Sequence, residues 1–158
     1  MTELASVTTI LASAPKGAIE VSMAGPPPHY LPATFTARSG DLTLFVTNGS
    51  HATHDIAIDR HPLQFSDQSV TNVPVAVSSN IAVGLSAAFV VKGVPAGTYY
   101  FWCTIGPHAA EGMTGTFTVA PDDRSCKRGG IAAKALVGPS RLVRRDDHAL
   151  RRRRHLDQ

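Results

Sequence analysis

The chain has 158 residues, of which 43% are hydrophobic and 17% charged, so it holds enough apolar side chains to build a packed core. Residues 1–121 carry four basic and seven acidic side chains, a net charge of −3, whereas residues 122–158 carry 11 basic and five acidic ones, a net charge of +6. The body of the chain is therefore not basic, which argues against a nucleic-acid-binding domain, and no stretch is long and apolar enough to span a membrane.

The first 17 residues contain an apolar run, LASVTTILASA, that ends in the small-residue triplet Ala12-Ser13-Ala14. A secretory signal places basic residues before such a run, but the only charged residue before this one is Glu3. The run is thus a poor match to a signal peptide. We expect residues 1–17 to be a flexible segment or the remnant of a leader.

Short segments rich in Val, Thr and aromatic residues follow, separated by turns that contain Gly and Pro. They lie at residues 18–23, 33–48, 54–60, 81–91, 98–103 and 115–121. The Pro-rich segment 25–32 is expected to be a loop, because proline cannot donate a hydrogen bond in a central strand, and residues 61–80 are expected to be rich in loops. We predict one all-β domain over residues 18–121, folded as a β-sandwich.

After Pro121 the composition changes abruptly. Residues 122–158 hold nine Arg and two Lys but no aromatic residue. Few apolar groups combined with high charge predict a disordered tail, with a short helix near residues 141–156. Such a tail suits an acidic protein or an anionic membrane surface. Because it offers no aromatic side chain for base stacking, we expect no nucleic-acid partner.

The segment FWCTIGPHAAEGMTG, residues 101–115, spaces a cysteine, a histidine and a methionine evenly. Four residues separate Cys103 from His108, and four separate His108 from Met113. Thiolate, imidazole and thioether ligands together suit copper. A trigonal site built from two imidazoles and one thiolate, with a weak axial methionine, requires one further histidine.

Strand alternation indicates which histidine this is. In the segment HDIAID, His54 shares a face with Ile56 and Ile58, the residues that point toward the core. His51 lies in the preceding turn and is expected to face water. The alternation therefore favours His54 as the fourth ligand. It also places Asp55 and Asp59 on the opposite face, which we expect to be solvated.

Four segments together resemble the cupredoxins, the family of small type 1 (blue) copper proteins, and are similar to plastocyanin-, auracyanin- and rusticyanin-like members. They are SGDLTLFVTN, His54-Asp55-Ile56, PAGTYYFWC, and the Cys103-x4-His108-x4-Met113 motif followed by GTFTV. The resemblance covers residues 39–119 and implies a Greek-key β-sandwich that binds one copper ion through His54, Cys103, His108 and Met113. It also implies that the side chain of Asn48 ties the two ligand-bearing loops together.

The resemblance further implies a function. The protein would carry single electrons between redox partners by cycling between Cu(II) and Cu(I), and the electron would pass through His108. A docking patch around that histidine would be formed by Ile105, Gly106, Pro107, Ala109 and Ala110. Family membership also implies a monomer that docks transiently with redox proteins and works outside the cytoplasm, in a periplasm or at a cell surface, and that is not an enzyme.

Two other functions are compatible with these residues. A copper storage or delivery protein could use the same four ligands. A metal-free interaction module could instead be held together by a disulfide between Cys103 and Cys126, which would exclude a copper thiolate. A catalytic multicopper enzyme is disfavoured, because the sequence contains no His-x-His pair for a trinuclear cluster.

Overall fold

The computed structural model describes residues 2–122, and the basic segment that follows lies outside the described residues. The described part of the chain consists of strands and loops. The strands are β1 (Ser6–Ile10), β2 (Ile19–Ala24), β3 (His29–Leu31), β4 (Thr34–Arg38), β5 (Gly40–Asn48), β6 (Ala57–Asp59), β7 (Phe65–Ser66), β8 (Ser69–Val70), β9 (Ala76–Val77), β10 (Ser86–Val94), β11 (Gly97–Trp102) and β12 (Thr114–Ala120). Within residues 2–122, no helix has the length and hydropathy needed to cross a bilayer.

Two five-stranded sheets form the domain. One has the strand order β1-β10-β5-β2-β3 and the other β4-β12-β11-β6-β9, while β7 and β8 form a separate hairpin. The chain passes repeatedly between the two sheets, so strands adjacent in space are distant in sequence, as in Greek-key folds. The prediction of an all-β, Greek-key β-sandwich is therefore confirmed.

Aromatic side chains fill the space between the two sheets. Phe117 stacks between Phe35, at 4.8 Å between ring centroids, and Tyr99, at 5.1 Å. Phe101 packs against Tyr30 at 5.0 Å. Large rings bury much apolar surface and prefer such offset contacts, so this cluster fixes the separation of the sheets directly below the strand ends that carry the candidate ligands.

Several strand ends meet at one end of the sandwich, which we call the ligand pole. Strand β5 ends there at Asn48, β11 ends at Trp102 and β12 begins at Thr114. His54 joins the same end through a two-residue bridge, in which its backbone pairs with that of Ile81. The pole thus collects segments from both sheets.

The N-terminal segment departs from the sequence expectation. Residues 1–17 were expected to be flexible or a leader remnant, but Ser6–Ile10 forms the edge strand β1 and pairs in antiparallel register with β10, Ser6 opposite Val91 and Ile10 opposite Ala87. A flexible segment is therefore wrong for these residues. The apolar run satisfies the exposed edge of β10 instead, which an edge strand of alternating Val, Thr and Ile does well.

The Pro-rich segment 25–32 also differs from the expected loop. Its residues His29–Leu31 form β3, which pairs with the outer side of β2. The prolines lie on either side of β3, and the strand is at the edge of its sheet, where a missing backbone donor leaves no ladder position empty. The loop expectation holds for residues 25–28 only.

Gly115 provides a test of the packing below the ligand pole. A Cβ atom at this position would lie 2.2 Å from Cζ of Phe101 and 2.5 Å from the carbonyl oxygen of Ala33. Because a backbone atom and a core ring cannot both give way, we expect Gly115→Ala to lower the free energy of unfolding by about 1–3 kcal/mol. Denaturant unfolding of the metal-free protein measures this loss.

The matched control is Gly49→Ala, since the nearest atom to a Cβ at Gly49 is the Met23 carbonyl oxygen at 3.7 Å. This variant should unfold close to the wild-type midpoint. Equal midpoints for Gly115→Ala and wild type would show that Phe101 does not pack against Gly115 as described.

Candidate metal centre

Two segments bring the candidate ligands to the ligand pole. The amide of His54 donates to the carbonyl of Ile81 at 3.3 Å, and the amide of Ile81 donates back to His54 at 2.7 Å. Cys103 directly follows β11, and its amide donates to the carbonyl of Met113 at 3.2 Å. Backbone pairing therefore holds these positions before any metal binds.

The predicted ligand atoms converge. Sγ of Cys103 lies 3.7 Å from Nδ1 of His54 and 3.5 Å from Nδ1 of His108, and the two Nδ1 atoms are 3.1 Å apart. A metal held in a trigonal plane, at about 2.0 Å from nitrogen and about 2.3 Å from sulfur, requires separations of about 3.5–3.7 Å. The two sulfur–nitrogen separations match this range, and the nitrogen–nitrogen separation is about 0.4 Å shorter. The three donor atoms therefore fit a single ion once the two imidazoles move slightly apart.

Burial distinguishes the four predicted ligands. Cys103 and His54 are each 1% exposed and Met113 is fully buried, whereas His108 is half-buried. Met113 belongs to the same core cluster as Cys103, and its carbonyl accepts from the Cys103 amide, so the two residues are neighbours through their backbones. Cys103 has no disulfide partner within residues 2–122. Cys126 lies outside the described residues, so the disulfide between the two cysteines stays a prediction.

The protonation of these groups follows from their surroundings. Burial raises the pKa of the Cys103 thiol from 9.0 to about 12, because a thiolate is poorly solvated there. Burial, assisted by the neighbouring His108, lowers the pKa of His54, so its imidazole is neutral near pH 7. A metal ion entering the site must therefore displace the thiol proton but not one from His54.

The loop between Cys103 and Met113 is built from consecutive turns. The amide of Glu111 donates to the carbonyl of Pro107 at 3.0 Å, and the amide of Met113 donates to the carbonyl of His108 at 2.8 Å. Gly106 has a φ of 52°, a left-handed conformation that glycine adopts without a steric cost. These turns fold the nine residues 104–112 compactly enough to bring the Met113 carbonyl to the amide of Cys103.

Asn48 is buried as predicted, but its contacts differ from the expected role. Its side-chain amide donates to the carbonyls of Ala52 and Ile81, both at 2.8 Å, and its Oδ1 accepts from the amide and the hydroxyl of Ser50. All four bonds stay on the side of the site that carries His54. Asn48 therefore orders the His54 segment and does not tie it to the Cys103 segment.

The link between the two segments is made by Asp55, which the alternation pattern assigned to solvent. Asp55 is only 3% exposed. Its Oδ1 accepts from the amide of Thr104 at 2.6 Å, and its Oδ2 accepts from the Thr104 hydroxyl. The neighbours of two ligands, His54 and Cys103, are thus joined by two charge-assisted hydrogen bonds, which are stronger than neutral ones.

Asp59 was also assigned to a solvated face and is 2% exposed. It accepts from the amide of Arg60 at 2.7 Å and from Nδ2 of Asn72 at 2.8 Å. Asn72 belongs to the loop-rich excursion that follows β6. This excursion covers the outer face of the sheet, and the expectation of solvation was wrong because the sequence alone does not show that cover.

Four of the five predicted docking residues reach the surface of the ligand pole: Gly106 and Ala110 are exposed, and Ile105 and Pro107 are half-buried. Ala109 is 5% exposed and packs with Ala57 and Trp102, under Leu63 and Val70. Ala109 is therefore a core residue and not part of the docking patch. The sequence did not indicate its burial, because alanine is common both in cores and on surfaces.

Comparison with known proteins agrees with this geometry. Residues 19–120 match the family described as copper binding proteins, plastocyanin/azurin family. Reduced auracyanin from Roseiflexus castenholzii is 27% identical, with a TM-score of 0.54 over 68% of this chain and 100% of that chain. Auracyanin A from Chloroflexus aurantiacus, titled a "blue" copper protein, is 18% identical, with a TM-score of 0.53 over 65% and 98%; at this identity it shows the fold alone. No curated protein matches the chain in sequence.

The hydrogen bonds of Asp55 generate a prediction. Asp55→Ala removes two hydrogen bonds that Thr104 donates to a buried carboxylate, so we expect the free energy of unfolding of the metal-free protein to fall by about 1–3 kcal/mol. Asp55→Asn keeps one acceptor oxygen, so its free energy of unfolding should fall by less. Denaturant unfolding measures both variants.

Asp41→Ala is the control. Asp41 pairs with Lys92 at 2.7 Å, but both side chains are more than half exposed, and surface pairs contribute about 0–1 kcal/mol. An equal loss in Asp55→Ala and Asp41→Ala would contradict the role given to Asp55.

Proposed function

Because the chain belongs to the plastocyanin/azurin family of copper-binding proteins, we propose that it is a mononuclear type 1 copper protein that carries single electrons between redox partners. One observation carries the proposal: the ligand atoms of His54, Cys103 and His108 all lie within 4.8 Å of one another. Copper, when bound, supplies a one-electron couple between Cu(II) and Cu(I).

The chain's own part is to hold the ligands still. In this proposal His54, Cys103, His108 and Met113 would hold the copper ion and would offer it two imidazoles, a thiolate and a thioether. Backbone hydrogen bonds hold His54 to Ile81 and Cys103 to Met113, and Asp55 links the two segments. These contacts restrict movement of the ligands when the charge of the site changes. Thiolate and thioether ligands favour Cu(I), so we expect a fairly high reduction potential.

His108 is the proposed exit for the electron. It is half-buried, whereas the other three ligands are buried. The surface beside it is formed by the exposed Gly106 and Ala110 and the half-buried Ile105 and Pro107. A small, weakly charged surface suits the brief encounters of electron-transfer proteins, which bury little area.

Further parts of the proposal come from family membership alone. We propose a monomer that works outside the cytoplasm and meets its redox partners transiently. We also propose a carrier and not an enzyme, because this sequence has no His-x-His pair of the kind a trinuclear copper cluster requires. Contact of residues 122–158 with an acidic protein or an anionic membrane stays a prediction.

Cys103 and Cys126 offer a matched pair for the decisive spectrum. Addition of one equivalent of Cu(II) to the metal-free protein should give an intense visible thiolate-to-copper charge-transfer band and the EPR signal of a type 1 site. Cys103→Ala should remove the band, since it deletes the thiolate ligand. Cys126→Ser should leave the band unchanged.

A band that survives in Cys103→Ala, or that never forms in the wild type, would disprove the proposal. Loss of the band in Cys126→Ser alone would point to the second cysteine as the ligand. Rapid transfer of bound copper to a chelator, on the time scale of electron exchange, would favour storage or delivery over electron transport.

The weakly charged docking surface leads to a second prediction. Ala110 is exposed beside His108, so Ala110→Glu places a second carboxylate next to Glu111. Two copies that meet at this surface would then repel each other, and we expect the electron self-exchange rate to fall about tenfold at low ionic strength and to recover with salt. Line broadening in NMR of mixed oxidation states measures this rate.

The control is Ala96→Glu. Ala96 is exposed in the turn between β10 and β11, at the end of the sandwich opposite the ligand pole. This variant adds the same charge but should leave self-exchange unchanged. Equal slowing by both variants would place the electron's exit away from His108.

A further inference from the structure

The closed environment of the ligands raises the question of how a metal ion reaches them. His54 and Cys103 are each 1% exposed and Met113 is fully buried, so an ion cannot approach these three side chains directly from solvent. His108 is the one predicted ligand that is half-buried. The route into the site therefore passes beside His108.

A cavity of about 180 Å³ opens at this place. Its wall includes His108 and His54 on the inner side, Pro26 and Pro28 on one flank, and His51 and Glu111. The last two are both exposed. Three imidazoles and one carboxylate thus border a single depression whose remaining surface is mostly apolar.

His51 and Glu111 are exposed side chains that line this cavity. Within residues 2–122, neither side chain takes part in a hydrogen bond or an ion pair. Glu111 is also the only charged side chain that lines the cavity. A lone carboxylate beside apolar walls attracts cations, because its field is focused into the depression.

A second observation concerns the inner wall. Nδ1 of His54 faces Cys103 and His108, whereas Nε2 of His54 is buried without any hydrogen-bond partner. A buried polar nitrogen without a partner is costly. His54 also lines the cavity, so the cavity reaches an imidazole that lacks a protein partner on one of its two nitrogens.

We propose that His51 and Glu111 form an entry site that captures hydrated copper and passes it beside His108 to the buried ligands. This inference rests on the proposed function. Glu111 attracts the cation, and His51 replaces one of its water ligands, since imidazole is a good copper ligand. In the final step the sulfur–metal bond forms as the S–H bond of Cys103 breaks, and the proton leaves to solvent.

The entry site affects the rate of metal uptake and not its end point. Trp102 is the only tryptophan of the chain and directly precedes Cys103, so quenching of its fluorescence reports arrival of the ion at the buried ligands. In stopped-flow mixing of metal-free protein with aqueous Cu(II) at low ionic strength, we expect His51→Ala and Glu111→Gln each to slow quenching several-fold. The double variant should slow it about tenfold or more.

His61→Ala and Glu3→Gln are the controls, since both residues are exposed, neither lines the cavity, and the changes remove the same chemical groups. Both should load at the wild-type rate. All variants should bind one equivalent and reach the wild-type visible spectrum, because the four final ligands are intact.

Unchanged quenching rates in the double variant, or equal slowing in the controls, would overturn the entry site. The visible band separates this result from the proposed function. Slower quenching in the double variant without a blue band in any protein would support the entry site and reject the type 1 copper assignment. A blue band in every protein, with equal quenching rates in all of them, would support the type 1 copper assignment and reject the entry site.

Discussion

The structure depends on the antiparallel register between β6 and β11. Ala57 pairs with Trp102 and Asp59 with Tyr100, and the same register continued by two residues along each chain segment places Asp55 opposite Thr104. The carboxylate of Asp55 accepts both hydrogen-bond donors of that residue. Since each of these two residues directly follows a candidate ligand, this contact sets the distance between His54 and Cys103. A slip of one position would turn both ligands away from the site.

The ligand pole combines rigidity with access on one side only. Burial of Cys103 raises the pKa of its thiol to about 12, and burial of His54 lowers its pKa, so in the metal-free protein the Cys103 thiol is protonated and the His54 imidazole is neutral at neutral pH. The same burial closes the site except beside His108. In our proposals, therefore, the electron leaves and the copper ion arrives through neighbouring parts of one surface, where Glu111 supplies the charge that attracts a cation.

Strand alternation predicted the face of His54 but misjudged its neighbours. It assigned His54 to the interior, where the structure places it, because one face of its segment packs against the opposite sheet. It assigned Asp55 and Asp59 to solvent, yet both are buried. The outer face of β6 is covered by the excursion that carries β7 and β8, and that excursion also buries Ala109 through Leu63 and Val70. The alternation of side chains along a strand cannot reveal that its outer face is covered, because this depends on where a distant segment of the chain folds back.

The sequence by itself determined the all-β class and the strand segments that face the core, and it singled out the candidate ligands Cys103, His108, Met113 and His54, since these follow from local alternation, spacing and the chemistry of soft ligands. Tertiary structure alone decided that Ser6–Ile10 would complete a sheet, that Asp55 and not Asn48 would join the ligand segments, and that His51 and Glu111 would border one cavity. The physical reason is that pairing register and burial depend on residues far apart in the chain, and no local pattern records which distant partner a strand or a carboxylate will meet.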